Sequence, residues 1–407
     1  AVTEVLEGAS VILSRDGEAV VEKTLDLAPD APFATQVDLP AGIEETDLLL
    51  RVLDSAGDEV VRYAPQAVEQ PPLPEPKTPP PPPETFDTIE ELYLTGLHLS
   101  QYRHPTIEPE PYWEAALEKD PTDVRCNNAM GLVRYRQGDF DTAATHFQAA
   151  IDKLTWRNPN PRDGEAFYNL GLTLKASGQD DDAYGKLYKA IWDVAWQTPA
   201  FYALAEIDCH RRDFETALEH LDRSLRTNAM NLKARNLKAA VLRRLGRLDE
   251  AATVIEGTQT LDPLDVGSRN EAILLSRARG EEARANEELN ALAALMDVPH
   301  WLSRIQAHFD VAFDYLNAGL WNEARDALTR LVEADGSAYP MVLYALGFIA
   351  AQQGDDEAAQ DLYGRASEMN PEYCFPSRLE ELRILEHAPS LRPDDPWIAY
   401  YLGTLYY

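Results

Sequence analysis

The stretch LYALGFIAAQQGDDEAAQDLYGRASEMNP, Leu343 to Pro371, limits what this chain can fold into more than any other. Small and large residues alternate in it at fixed offsets: Leu343, Leu346, Gly347, Ala350, Gly354, Ala359, Tyr363, Ala366 and Pro371. That pattern describes two antiparallel helices joined by a tight turn. Gly347 and Ala359 fall where the helices cross, because a larger side chain at either place would push the backbones apart. Leu346, Tyr363 and Ala366 then fill the seams with neighbouring units. Gly354 opens the turn, and Pro371 stops the second helix because proline cannot continue the hydrogen-bond ladder.

The pattern recurs along the chain. Asp87 or Thr88 can cap a first helix ahead of IEELYLTGLHLSQY, with Gly96 at the close-contact position, and PYWEAALEKDP forms its partner. NNAMGLVRYRQGDFDTAATHFQAAI places Gly131, Gly138, Ala143, Phe147 and Ala150 in register. After the insert TWRNPNPRD come Gly171, Gly178, Ala183 and Ala190, then Ala205 and Ala217, then Ala239, Gly246, Ala251 and Pro263. The steps from Gly171 to Ala205 and from Ala205 to Ala239 are each 34 residues. Residues 264–296 keep helical amphipathicity but lose the pattern, so they read as a degenerate unit. Ala312, Gly319, Ala324 and Leu328 restore it. SRLEELRILEHA reads as a single irregular helix. WIAYYLGTLYY then matches the first helix of one more unit through Leu402, Gly403 and Tyr406, so the array is expected to be cut mid-repeat from something longer. A last apolar face of this kind needs a partner or cap.

Residues 1–63 read differently. SVILSRDGEAVVEKTLDL alternates around Asp16-Gly17, a hairpin turn, while TQVDLP and DLLLRVLDSAGDEVVRY supply further strands. A small, incomplete immunoglobulin-like β-sandwich is expected there. Between the two parts, residues 64–85 include QPPLPEPKTPPPPPE, an extended polyproline II spacer and a domain boundary. The expected fold is therefore mostly α: a right-handed solenoid of about eight or nine units over residues 86–407, behind the small all-β domain.

Charge narrows the partners. The formal net charge is −32, from 69 acidic and 37 basic residues, which disfavours nucleic acid and anionic membrane surfaces. No apolar run approaches the roughly 18 residues needed to span a bilayer. Cys126, Cys209 and Cys374 lie far apart, without metal-ligand spacing or a disulfide framework, and fit a reducing cytosol.

The offsets around Gly347 and the 34-residue steps resemble the tetratricopeptide (TPR) repeat. That resemblance implies a superhelix whose first helices line a concave groove, a surface without built-in chemistry. Counting from the close-contact positions, the groove should present Arg125, Asn128 and Arg136, then Tyr168, Asn169 and Lys175. Tyr202, Glu206 and His210 follow, then Lys233, Asn236, Arg243 and Arg244, and finally Phe309, Phe313, Tyr344 and Phe348. These residues either form a binding channel or merely line a solvated groove. Some TPR domains clamp a terminal carboxylate with Lys and Asn; Asn128, Asn169 and Lys233 match that mode, whereas Leu132 and Leu237 depart from it.

Catalysis is not expected. Cys209 and His210 are adjacent on a helix and so point about 100° apart, which denies them a shared substrate atom. His98 and His104 have no third ligand in register for zinc. The basic cluster Arg243, Arg244 and Arg247 is best read as paired with the surrounding acids. No phosphate loop, nucleophile elbow or dinucleotide fingerprint is present, and no cofactor or metal is expected.

Several phrases, EELYLTGLHLSQYRHPT, NNAMGLVRYRQGDF, RNPNPRDGEAFYNLGLTL, YALAEIDC and EHLDRSLRTNAMNLKARNLKAAVLRRLGR, resemble the C-terminal region of large, uncharacterised bacterial proteins. In that family a mutarotase-like β-rich domain precedes the TPR array. The resemblance implies a non-catalytic cytoplasmic scaffold that binds a protein, a peptide or its own upstream domain. The alternative is an accessory region of a carbohydrate-active enzyme whose catalytic domain lies upstream. Self-association through the uncapped C-terminal helix is a third expectation.

Overall fold

The computed structural model describes residues 2–29, 31, 33–39, 42–67, 73, 76, 78–296, 301–335 and 339–406, and the side chains among them except those of 301–304 and 333–335. It divides into two compact units, Ala1–Pro79 and Pro80–Tyr407.

In the first unit, strands β1 (Leu6–Arg15), β2 (Glu18–Leu27), β3 (Leu48–Leu53) and β4 (Glu59–Tyr63) form one antiparallel sheet in the order β2-β1-β3-β4. Asp16 and Gly17 both take positive φ, 50° and 86°, as a two-residue hairpin turn of the right-handed twist requires. The Asp54 carboxylate closes the next hairpin by accepting from the Ala56 and Asp58 backbone N–H groups, each at 2.9 Å. Ala9, Leu27 and Val52 form the core, with Leu6, Val11, Leu25 and Phe33 against them. Among the described residues the strands make one sheet rather than two facing ones. TQVDLP is not a strand: residues 35–39 have no ladder partner. Of its apolar residues Leu39 is exposed, and the segment instead walls, with Phe33, Val11 and Leu13, a cavity of about 460 Å³ on the sheet face. Of the proline-rich spacer, residues 68–72, 74–75 and 77 lie outside the described residues; the rest holds no strand or α-helix.

The second unit is a run of helical hairpins. The first four are α1 (Ile89–Tyr102) with α2 (Glu110–Lys119), α3 (Val124–Arg136) with α4 (Phe140–Thr155), α5 (Glu165–Ala176) with α6 (Asp180–Ala190), and α7 (Val194–His210) with α8 (Phe214–Thr227). The next four are α9 (Leu232–Arg244) with α10 (Leu248–Leu261), α11 (Val266–Ala278) with α12 (Glu282–Leu295), α13 (Trp301–Asn317) with α14 (Trp321–Asp335), and α15 (Pro340–Gln352) with α16 (Asp356–Ser367). α17 (Leu379–His387) and α18 (Pro396–Tyr406) follow. Side-chain caps start many of these helices: Thr88, Asp123, Asp139, Asp213, Asn231, Asp265 and Asp355 each accept the backbone N–H three residues on. Each such cap stabilises by about 1 kcal/mol.

Small residues do what their spacing predicts. A Cβ on Gly131 would lie 2.5 Å from the ring of Phe147, one on Gly171 2.7 Å from Leu187, and one on Gly347 2.5 Å from Tyr363. In the first hairpin Gly96 is covered in the same way by Trp113, whose indole N–H donates to the Tyr93 carbonyl at 3.3 Å. The degenerate unit is a complete hairpin, α11 and α12. Buried Ile273 stands there 34 residues after Ala239, so the close-contact position is filled by bulk and the pattern disappears from the sequence. The largest core cluster runs from α7 to α18.

The array coils until distant units touch. Leu382 of α17 sits directly on Gly138 in the α3–α4 turn, with Tyr406 beside it, and His210 at the end of α7 sits on Gly319 in the α13–α14 turn. Nothing in a 34-residue pattern specifies these contacts; the pitch of the coil does.

Candidate functional site

Two concave spaces among the described residues take in predicted groove residues. One is a cleft of about 580 Å³ between α1, α3 and α5, lined by Tyr93, Leu97, Arg125, Asn128, Leu132 and Arg136 among others. The other is a chamber of about 790 Å³ inside the coil, walled by the ends of α3, α5, α7, α13, α15 and by α17. Tyr135, Lys175, Glu206, His210, Trp321 and Arg383 line it.

The cleft keeps charge available. Arg125 pairs with Glu90 at 2.7 Å and lies over the Tyr93 ring at 4.4 Å. Arg136 is exposed and has no hydrogen bond or ion pair among the described residues. Glu165 borders the cleft; burial raises its carboxyl above the usual range, with a hydrogen bond from Asn128 partly opposing.

Most of the other predicted groove residues are spent on the fold. Asn169 Nδ2 donates to Asn128 Oδ1 at 2.9 Å, and both amides are buried. Tyr168 stacks on Trp196 with ring centroids 4.8 Å apart. Lys175 and Glu206 form a 3.1 Å ion pair, and burial beside Glu206 pushes the Tyr202 hydroxyl well above its ordinary value. Asn236 donates to Asp265, the cap of α11, at 3.0 Å. Lys233 meets Asp314 at 2.6 Å, so the three residues that match a carboxylate clamp already satisfy one another or an acid.

Two expectations need correction. Phe309, Phe313, Tyr344 and Phe348 do not face a groove: they are 0, 3, 0 and 2% exposed and belong to the main core. α15 is packed between α14, α16 and α17, and its residues from Pro340 to Ile349 are all buried. Arg243 is likewise not a free groove cation. It makes a two-bond fork to Glu271, at 3.0 and 3.1 Å, and a third bond to Glu323 at 3.2 Å. Arg244 reaches the same Glu323 at 2.6 Å, and Arg247 pairs with Glu250, as the acidic surroundings led us to expect of this basic cluster.

Electrostatics inside the coil is tight. Burial pushes the Asp314 carboxyl up to about 6, with the Lys233 ammonium opposing and Glu206 and Asp310 adding to the rise. Cys209 is fully buried, which raises its thiol pKa, and His210 turns its Nδ1 to Asp180 at 3.3 Å instead. Among the described residues no group of three or more His, Cys, Asp or Glu side chains could hold a metal ion, and no helix is long and apolar enough to cross a membrane.

Sequence reasoning missed the chamber. Its wall uses Glu380, Arg383 and Glu386, three residues apart on α17, together with Trp321 and Tyr135. The i, i+3, i+6 stripe of charge on α17 was a readable signal, but what it faces depends on the coil.

Residues 1–63 match the family model described as YphG-like protein, second domain. Residues 128–193, 202–266 and 312–373 match the model described as tetratricopeptide repeat. Among solved structures, PilF of Pseudomonas aeruginosa is 19% identical, with 55% of this chain and 97% of that one covered at a TM-score of 0.44. A tetratricopeptide repeat protein from Parabacteroides merdae is 17% identical, with 65% of this chain and 98% of that one covered at 0.42. YrrB, described as a TPR protein with an unusual peptide-binding site, is 18% identical, with 48% of this chain and 96% of that one covered at 0.38. Three stretches of the helical part thus match tetratricopeptide repeats, and the N-terminal β-domain matches the YphG-like second domain.

Proposed function

We propose that this chain is a non-catalytic interaction scaffold whose concave cleft between α1, α3 and α5 takes an extended segment of a protein partner or of a larger polypeptide. The observation that carries the proposal is Arg136. It is a cation with no ion pair among the described residues, and it lines a cleft that also presents the apolar side chains of Leu97, Leu132 and Val133. An extended peptide with an acidic side chain near apolar ones matches that arrangement, since a guanidinium binds carboxylates through directed paired bonds. Three buried free cysteines are compatible with the cytoplasm as its place of action.

The test is selection of peptides from a random library on the intact chain, followed by affinity measurement on Arg136→Glu. Selected peptides should carry Asp or Glu and lose at least about tenfold in affinity, the order expected for breaking a charge-assisted contact. Helical circular dichroism should not change. Peptides that bind wild type and Arg136→Glu equally would remove the cleft from the proposal.

A further inference from the structure

The chamber inside the coil holds charge that the fold leaves unmatched. Glu380, Arg383 and Glu386 stand three residues apart on α17, and all three line it. Arg383 makes no hydrogen bond or ion pair among the described residues; its guanidinium lies over the Phe348 ring, 5.1 Å from the centroid. Burial lowers its pKa, with the Asp180 and Glu380 carboxylates opposing without touching it. Glu380 accepts from the Asn317 amide at 2.7 Å and Glu386 from the Tyr406 hydroxyl at 2.9 Å. Neither carboxylate has a cation within ion-pair distance among the described residues.

The other charges around the chamber have partners. Lys175 pairs with Glu206 at 3.1 Å, His210 turns to Asp180 at 3.3 Å, and Arg211 reaches Asp181. What stays open on α17 is a cation flanked by two anions. A guanidinium taken out of water without a carboxylate is costly, so it favours a ligand that brings one. A ligand of one sign fits badly, because an anion at Arg383 stands between Glu380 and Glu386, and a cation at either acid stands beside Arg383. A molecule that carries both charges close together satisfies both signs. Tyr135, Phe140 and Trp321 add aromatic surface, and about 790 Å³ is within the range of small-molecule sites.

We propose that the chamber binds a free aromatic α-amino acid. Its carboxylate takes paired N–H bonds from Arg383, its ammonium meets Glu380 or Glu386, and its ring lies among Tyr135, Phe140 and Trp321. An extended peptide does not meet this requirement, since its interior carries no ammonium beside a carboxylate. The site is therefore separate from the cleft between α1, α3 and α5, and Arg136→Glu leaves it unchanged. Bound there, the amino acid touches α3, α4, α14 and α17 together, and so ties α17 to units far from it in sequence.

The test is calorimetric titration of L-phenylalanine and of L-tryptophan into the intact chain, each beside its two analogues that lack the ammonium or the carboxylate. At least one of the amino acids should bind saturably and raise the melting temperature, as any ligand of the native state does. Its analogues should bind at least about tenfold more weakly, and Arg383→Gln should weaken the amino acid by at least about tenfold. Ala176→Phe narrows the chamber from α5 while leaving every charge in place, and should weaken it likewise. Circular dichroism confirms that each variant is folded at the temperature of titration. Absence of saturable binding at millimolar amino acid, or binding indifferent to Arg383→Gln and Ala176→Phe, overturns the proposal. Equal binding of an analogue without the ammonium overturns it too, because the site would then be one for a plain carboxylate.

Discussion

Asp314 shows how a residue's charge is set by the coil around it. On an isolated helix it would be an ordinary carboxylate, but burial near Glu206 and Asp310 pushes it up to about 6 despite the Lys233 ammonium at 2.6 Å. The folded chain therefore holds this proton to higher pH than the unfolded chain. Between about pH 4 and pH 6 the native state binds more protons at this site, so the stability it contributes falls as pH rises through that window. Asp314→Asn should remove the decline: its melting temperature relative to wild type should climb from pH 4 to pH 7. A carboxyl NMR titration of wild type should show a midpoint near about 6, and one near 4 would contradict the burial argument. Position 314 was never singled out in the sequence. Lys233 was, as a groove cation, because the repeat register shows which way a side chain points but not which acid a neighbouring turn of the coil brings to it.

At the scale of the element, the hairpins were the most readable feature. Gly347, Gly354 and Ala359 take the places their spacing implied, because helix crossing is a local constraint that a single unit imposes on its own residues. Tyr363, expected in the seam with a neighbouring unit, lies instead over Gly347 of its own hairpin. Gly347→Leu should therefore drive a side chain into the fully buried Tyr363, whose hydroxyl lies 3.1 Å from His387 Nδ1 and which has no room to yield. Overpacking of this kind costs about 1–3 kcal/mol, visible as a lower urea midpoint at unchanged slope. Gly185→Leu on α6, where nothing lies within 4 Å, is the control and should cost nothing measurable. The strand read into TQVDLP failed at this same scale. Alternation alone cannot tell a strand from a segment that lies along a sheet face, since both place apolar side chains on one side.

Across the whole molecule, units far apart in sequence are tied by buried charge. Arg243 on α9 joins Glu271 on α11 to Glu323 on α14, and both carboxylates are nearly or fully buried. Tyr315 adds a hydrogen bond to Glu271 at 2.6 Å. Arg243→Leu would leave the buried Glu271 without its counter-ion and Glu323 with Arg244 alone, a loss of about 3–5 kcal/mol. Urea denaturation should show that loss, and hydrogen exchange should accelerate in α11 and α14 together; a loss below about 1 kcal/mol would mean the acids are relieved by water instead.

The sequence by itself determined the repeat, the two-part organisation, the helix pairs and the small residues where most of those pairs cross. All of these follow from local periodicity, capping and the size of residues at a helix crossing. Only the tertiary structure decided which groove residues stay open. The superhelical pitch, a sum of small rotations between successive units, brings Leu382 onto Gly138 and encloses α15, and it puts Phe309, Tyr344 and Arg243 out of reach of any ligand. The same pitch leaves Arg136 exposed beside a cleft.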